Sequence, residues 1–174
     1  MKTDTIAVHS GRDGLAATGV HVPPIDLSTT YPFTDLDQAT ASYDSMAAGG
    51  APTGSAIYAR LHNPTVARFE EALAALEGTD EAVAFSSGMA AMTALLLAVR
   101  EQGRHVVAVR PLYGGTDHLL ESGLLGLEAS FVTPAGVGPA IRPDTGLVIM
   151  ETPGNPTLDL ADIADVVRQA GPVP

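Results

Sequence analysis

Apolar positions divide the chain into two stretches of different character. Up to residue 57 the sequence is rich in Gly, Pro, Ser and Thr, and "HVPPIDLSTTYPF" (21–33) and "MAAGGAPTGS" (46–55) hold neither a helical nor a strand period. Residues 1–57 therefore read as an extended arm without a core of its own. From Asn63 a helical period begins: Asn63 can cap, Pro64 suits the first helical position, and Val66, Phe69, Leu73 and Leu76 share one face before Gly78 stops it. Short apolar runs then alternate with helical segments. They are "AVAF" (82–85), a helix over 88–101, "HVVAVR" (105–110), a helix from about Thr116, "ASFV" (129–132), "GLVIM" (146–150) and "LADIADVVRQA" (160–170). Apolar strands separated by helices predict an α/β fold over residues 58–174, a mostly parallel sheet with right-handed crossovers and flanking helices.

Composition narrows the function. With 45% hydrophobic and 17% charged residues in 174, the chain can bury a core. Nine Lys+Arg against 20 Asp+Glu give a formal net charge of -11, which repels nucleic acid and anionic membrane. The absence of cysteine removes disulfides, thiolate nucleophiles and Cys-based metal sites. The N-terminal "MKTDTIAVHSGRDG" lacks the charged and apolar regions of a leader, and the most apolar stretch, Ala90 to Val99, is too short to span a bilayer. A soluble, cytoplasmic protein is expected. His9, His21, His62, His105 and His118 show no metal-ligand spacing and read as surface or satisfied core residues.

In parallel sheets ligands gather beyond the carboxyl ends of the strands, so the polar punctuation there matters most. Ser86-Ser87-Gly88 opens the helix "GMAAMTALLLAVR", where unpaired N–H groups and the helix dipole suit a phosphate. "PLYGGT" presents Tyr113, and "ETPGNPT" presents Glu151 and Asn155. An anion cradle, an aromatic face, a carboxylate and an amide converging in one crevice could hold a phosphorylated aromatic ring. Each element also has a plain alternative. Ser87 could simply cap, Tyr113 could pack a loop, Asn155 could form a turn before Pro156, and Arg60 could be a surface cation.

Four segments in order, "YARLHNPT", "SSGMAA", "LYGGT" and "ETPGNPT", resemble the pyridoxal 5'-phosphate (PLP) enzymes of cysteine and methionine metabolism, the transsulfuration family that includes cystathionine γ-synthase, cystathionine γ-lyase and methionine γ-lyase. The resemblance implies the N-terminal half of a fold-type-I PLP-dependent transferase large domain. It implies that Ser87, Gly88 and Met89 bind the PLP phosphate and that Tyr113, the one candidate catalytic residue, stacks on the pyridine ring. Asn155 would approach the ring's phenolic oxygen, with Glu151 beside it. Tyr58 and Arg60 would reach the phosphate of a neighbouring subunit across an oligomer interface.

The chain departs from this pattern in what it lacks. PLP chemistry needs a lysine to hold the cofactor's aldehyde and a carboxylate to keep the pyridine nitrogen protonated. The only lysine is Lys2, outside every matching motif, and the family's pyridine-facing aspartate comes in a strand beyond the last residue, Pro174. The expectation is therefore a split-enzyme half or truncated form of a lyase or transferase acting by β/γ-elimination or γ-replacement on an amino-acid substrate. A complementing C-terminal polypeptide would complete it in a homo- or hetero-oligomer. Gly115 stands where methionine γ-lyases of the family carry a cysteine, which weighs against that activity. The alternatives are a non-catalytic module binding a phosphate ligand, without a G-x-G-x-x-G or Walker A fingerprint, and a structural partner subunit.

Overall fold

Caps and local hydrogen bonds place the helices of the computed structural model, which describes residues 2–174; Met1, the first residue of the expected arm, lies outside the described residues. The chain divides between Ala84 and Phe85 into two units. The first holds α1 (Thr3–His9), α2 (Leu15–Thr18), α3 (Leu36–Ala47) and α4 (Pro64–Glu77). The stretch expected to be an irregular arm thus contains helices. Helix α3 starts at Asp35, whose carboxylate accepts from the N–H groups of Asp37 (2.9 Å) and Gln38 (3.2 Å). It buries Ala39, Ser42 and Met46. Two of those three are small or polar, so no apolar stripe announces the helix. Its packing is partly a hydrogen bond: the buried Ser42 hydroxyl accepts from Gly54 N–H at 2.8 Å and lies 3.2 Å from the Thr53 hydroxyl.

Helix α4 has its predicted cap, with Asn63 Oδ1 accepting from Thr65 and Val66 N–H, and its predicted stop at Gly78, where φ is 71°. It belongs to the first unit, so the boundary read at 57/58 falls inside that unit. The reason is a set of polar ties: Arg68 donates to the carbonyls of Gly11 (3.0 Å) and Asp13 (2.8 Å), and Asp26 N–H donates to Thr65 Oγ1 (2.8 Å). The apolar face of α4 is not covered in this chain, since Val66 is 43% and Phe69 58% exposed. "AVAF" is not a strand among the described residues. It has no ladder neighbour there, Val83 is exposed, and Ala84 N–H turns instead to Glu70 Oε1 at 2.7 Å.

The second unit is α5 (Gly88–Val99), β1 (His105–Val109), α6 (Gly114–Glu121), β2 (Glu128–Val132), α7 (Val137–Ala140), β3 (Thr145–Ile149) and α8 (Ile163–Ala170). Its strands pair in parallel in the order β2-β1-β3, with Val107 opposite Ser130 on one side and Val148 on the other. Alternation splits the sheet's side chains between two cores. Val106, Ala108, Leu147 and Ile149 pack with Leu96 and Val99 of α5 and Leu120 of α6. Val107 and Val109 pack with Val137 of α7 and Val166 of α8. The three later strand runs and their helices thus lie where the hydrophobic pattern predicts, each within a few residues. The short α7, "VGPA", carries too little period to be read.

At the amino end of β1 one side chain ties the three strands together. His105 is fully buried, with Nδ1 2.7 Å from Thr145 Oγ1 and Nε2 2.9 Å from Ser130 Oγ. Thr145 Oγ1 also accepts Arg142 N–H at 2.7 Å. Ser130 Oγ in turn accepts from Arg142 Nη2 at 3.3 Å, so the neutral ring donates to one of these hydroxyls and accepts from the other. Burial, and then the Arg142 guanidinium, hold the pKa of His105 below the ordinary histidine value, against the opposing pull of Asp144 and Glu128. The folded state takes up this proton less readily than the unfolded chain. The stability it confers is complete above pH 6.5, the unshifted value, and declines as pH falls below it. Replacing His105 by Asn should cost about 1–3 kcal/mol at pH 8. The difference in thermal midpoint between the two proteins should shrink toward pH 5; a difference independent of pH would rule out a titrating imidazole.

Candidate functional site

Parallel pairing sends the exits of β1 and β3 to the same edge of the sheet. The residues that follow them meet the start of α5. Ser87 caps α5, its Oγ accepting Ala90 N–H at 3.1 Å. Among the described residues the N–H groups of Gly88 and Met89 have no hydrogen-bond partner, as first-turn geometry dictates. A Cβ placed on Gly88 would meet nothing within 4 Å, so the approach to these donors is open. The chain's own described groups leave these donors free.

Tyr113 ends the connection from β1 and precedes α6. Its ring is half exposed, and its backbone N–H donates to Glu151 Oε2 at 2.9 Å. Glu151, just past β3, thereby holds the loop that presents the phenol. Ser87, Gly88, Met89, Tyr113 and Glu151 line one concavity of about 440 Å³. Met92 and Thr116 complete its wall and escaped the sequence reading. Helical spacing was the available signal: Met92 lies three residues after Met89 on α5, and Thr116 three after Tyr113. Gly115 also shapes the crevice without lining it. A Cβ there would lie 2.7 Å from Tyr113 Cε1 and 2.9 Å from Met89 Sδ, so the missing side chain lets the ring settle against the start of α6.

The remaining candidates lie elsewhere. Asn155 is exposed and does not line this concavity. Tyr58 and Arg60 belong to the first unit, where Tyr58 bridges Thr30 in antiparallel fashion and the Arg60 guanidinium sits 5.2 Å from the Tyr58 ring centre. Ala59 N–H donates to Thr29 C=O at 2.9 Å, so the Tyr-x-Arg segment is held by backbone pairing.

A crevice at the carboxyl ends of parallel strands places this unit in the class of open α/β folds that gather ligands there. The family profile described as "Cys/Met metabolism PLP-dependent enzyme" matches residues 4–172. The chain belongs to that family and has the family's fold-type-I architecture. It is 61% identical over 173 residues to an L-methionine gamma-lyase of Streptomyces avermitilis, covering 98% of this chain and 42% of that protein. It is 58% identical over 177 residues to an L-methionine gamma-lyase of Brevibacterium sandarakinum, covering 100% of this chain and 45% of the relative. The crystal structure of metB from Corynebacterium glutamicum superposes with a TM-score of 0.81 at 31% identity, over 98% of this chain and 42% of that one. The chain thus spans less than half the length of these relatives. No helix among the described residues is long and apolar enough to cross a membrane.

Ser87→Ala should destabilise the second unit by about 1 kcal/mol through loss of the cap. Urea unfolding measures this directly; an unchanged midpoint would remove Ser87 from the set of residues that shape the helix start.

Proposed function

We propose that this chain is the cofactor-binding N-terminal portion of a PLP-dependent enzyme that performs β/γ-elimination or γ-replacement on a sulfur amino acid or an activated homoserine. The observation that carries the reading is the single concavity joining the α5 start, the Tyr113 ring and Glu151. The groups present fit one end and one face of PLP. Gly88 and Met89 offer N–H donors and Ser87 a hydroxyl to the phosphate, and Tyr113 offers a flat platform to the pyridine ring. Glu151 keeps that platform in place through the Tyr113 N–H. When bound, PLP supplies an electron sink for the carbanion formed at the substrate's α-carbon. Asn155, exposed in the "GNPT" turn, is assigned to the ring's phenolic oxygen, and Tyr58 and Arg60 to the phosphate of a neighbouring subunit, with residues 1–57 reaching across an oligomer interface.

The lysine and the pyridine-facing carboxylate are assigned to a complementing C-terminal polypeptide. The outer edge of β3 supports this, because Val148 N–H already takes a neighbouring backbone carbonyl there, that of Pro174 at 2.8 Å. The relatives favour γ-elimination from a substrate such as L-methionine. Gly115 weighs the other way, and the 61% and 58% identities to proteins named L-methionine gamma-lyase weigh more.

The isolated 174-residue chain should show no elimination activity and no specific covalent attachment of PLP. Adding a polypeptide that begins with the next strand should restore both. Borohydride reduction followed by peptide mapping separates a productive attachment on the added half from a nonspecific adduct on Lys2. Turnover by the isolated chain with PLP fixed at Lys2 would overturn the reading.

In the assembled enzyme Arg60→Ala should weaken PLP retention by about 1.5–3 kcal/mol through loss of charge-assisted hydrogen bonds. Mixing it with protomers disabled at Tyr113 should recover part of the activity through hybrid sites. Verified hybrids without recovery would count against a role for Arg60 between subunits.

A further inference from the structure

The connection from β1 to α6 carries Tyr113, and charge closes it at both ends. Arg110 follows β1, and its backbone N–H donates to Val132 C=O at 3.0 Å, fixing it beside the end of β2. Its guanidinium lies over the Phe131 ring, 3.7 Å from the centroid. From that platform Nε donates to Asp117 Oδ1 at 2.6 Å and Nη2 to Asp117 Oδ2 at 2.9 Å, while Glu121 Oε1 lies 3.8 Å from Nη2. Asp117 stands in the first turn of α6, and its own N–H donates to Tyr113 C=O at 3.0 Å. Residues 110–117 are thus a closed loop with Tyr113 inside it.

We propose that Arg110 and Asp117 are positioning residues for Tyr113, a two-point clasp on an aromatic platform that fixes the loop so that the phenol faces the crevice. The inference rests on the reading of Tyr113 as the platform for the cofactor ring. Exposed ion pairs ordinarily contribute little, because two long side chains must be ordered in a strongly screening solvent. Three features set this pair apart. Two of the three guanidinium nitrogens are engaged in parallel, so one geometry is selected. Phe131 removes water from one face of the guanidinium, and the Asp117 side chain is only 25% exposed. The loop between the two residues is short, so holding its ends leaves its middle little freedom. A lysine at 110 could supply the charge but neither the fork nor the flat face.

The test uses the full chain with 3-fluorotyrosine in place of tyrosine, the Tyr113 resonance being assigned by its loss in Tyr113→Phe. In Asp117→Asn and in Arg110→Gln the fluorine line of Tyr113 should narrow and move toward the free amino acid. The lines of Tyr31, Tyr43 and Tyr58 should stay fixed. Arg110→Lys should fall between these variants and the parent. In the assembled enzyme the same substitutions should weaken PLP binding about five-fold. A Tyr113 line unchanged in both Asp117→Asn and Arg110→Gln overturns the proposal. So does collapse of all four lines in both, which would make the pair a general support of the fold. If the clasp variants mobilise Tyr113 but PLP leaves the Tyr113 line of the assembled parent unmoved, the clasp stands and the platform reading of Tyr113 fails.

Discussion

The second unit depends on β1 being buried between two parallel neighbours. All five of its residues are buried, and both of its edges are paired. Parallel pairing forbids tight hairpins, so each strand must return through a helix laid on one face of the sheet. Every strand then exits at the same edge. The crevice follows from this constraint: Tyr113 after β1 and Glu151 after β3 are brought together because their strands run side by side in the same direction.

The two ends of this sheet are secured by different chemistry. At the amino end a buried neutral imidazole joins the three strands through the hydroxyls of Thr145 and Ser130, a device that costs little desolvation while it remains uncharged, beside an exposed Arg142–Glu128 ion pair. At the carboxyl end the ties are ionic and partly solvated: Arg110 on Asp117, and Glu151 on a backbone N–H. A neutral ring suits the His105 position, where burial penalises charge. Charged groups suit the open end, where water and a ligand can reach them.

Beside this core the chain leaves much apolar surface open. Phe69 on α4, Val83 in the unpaired segment and Ile163 and Val167 on α8 are all more than half exposed. The relatives are more than twice as long as the matched stretch, and under the proposed function their remaining portions are the natural cover for such faces. "AVAF" illustrates the point. Its apolar composition suits a sheet, but a β-strand is defined by its neighbour's backbone, and none pairs with it among the described residues.

By itself the sequence determines three parallel strands, the caps of α4 and α5 and five of the seven residues that line the crevice, because these signals are local. Asn63 caps and Gly78 terminates whatever the surroundings, and a buried run such as "HVVAV" is apolar on both faces by necessity. Non-local matters were decided by tertiary structure. Helix α3 escaped notice because its buried face is made from Ala39 and the hydrogen-bonded Ser42, whose partner sits in a loop twelve residues away. The boundary moved to Ala84/Phe85 because Arg68 and Thr65 bind backbone groups far earlier in the chain. The pairing of Arg110 with Asp117 has no signal in the sequence, since a linear chain does not show that Phe131 lies beneath the guanidinium. Spacing reveals which groups a short segment can offer, while only folding reveals which of them meet.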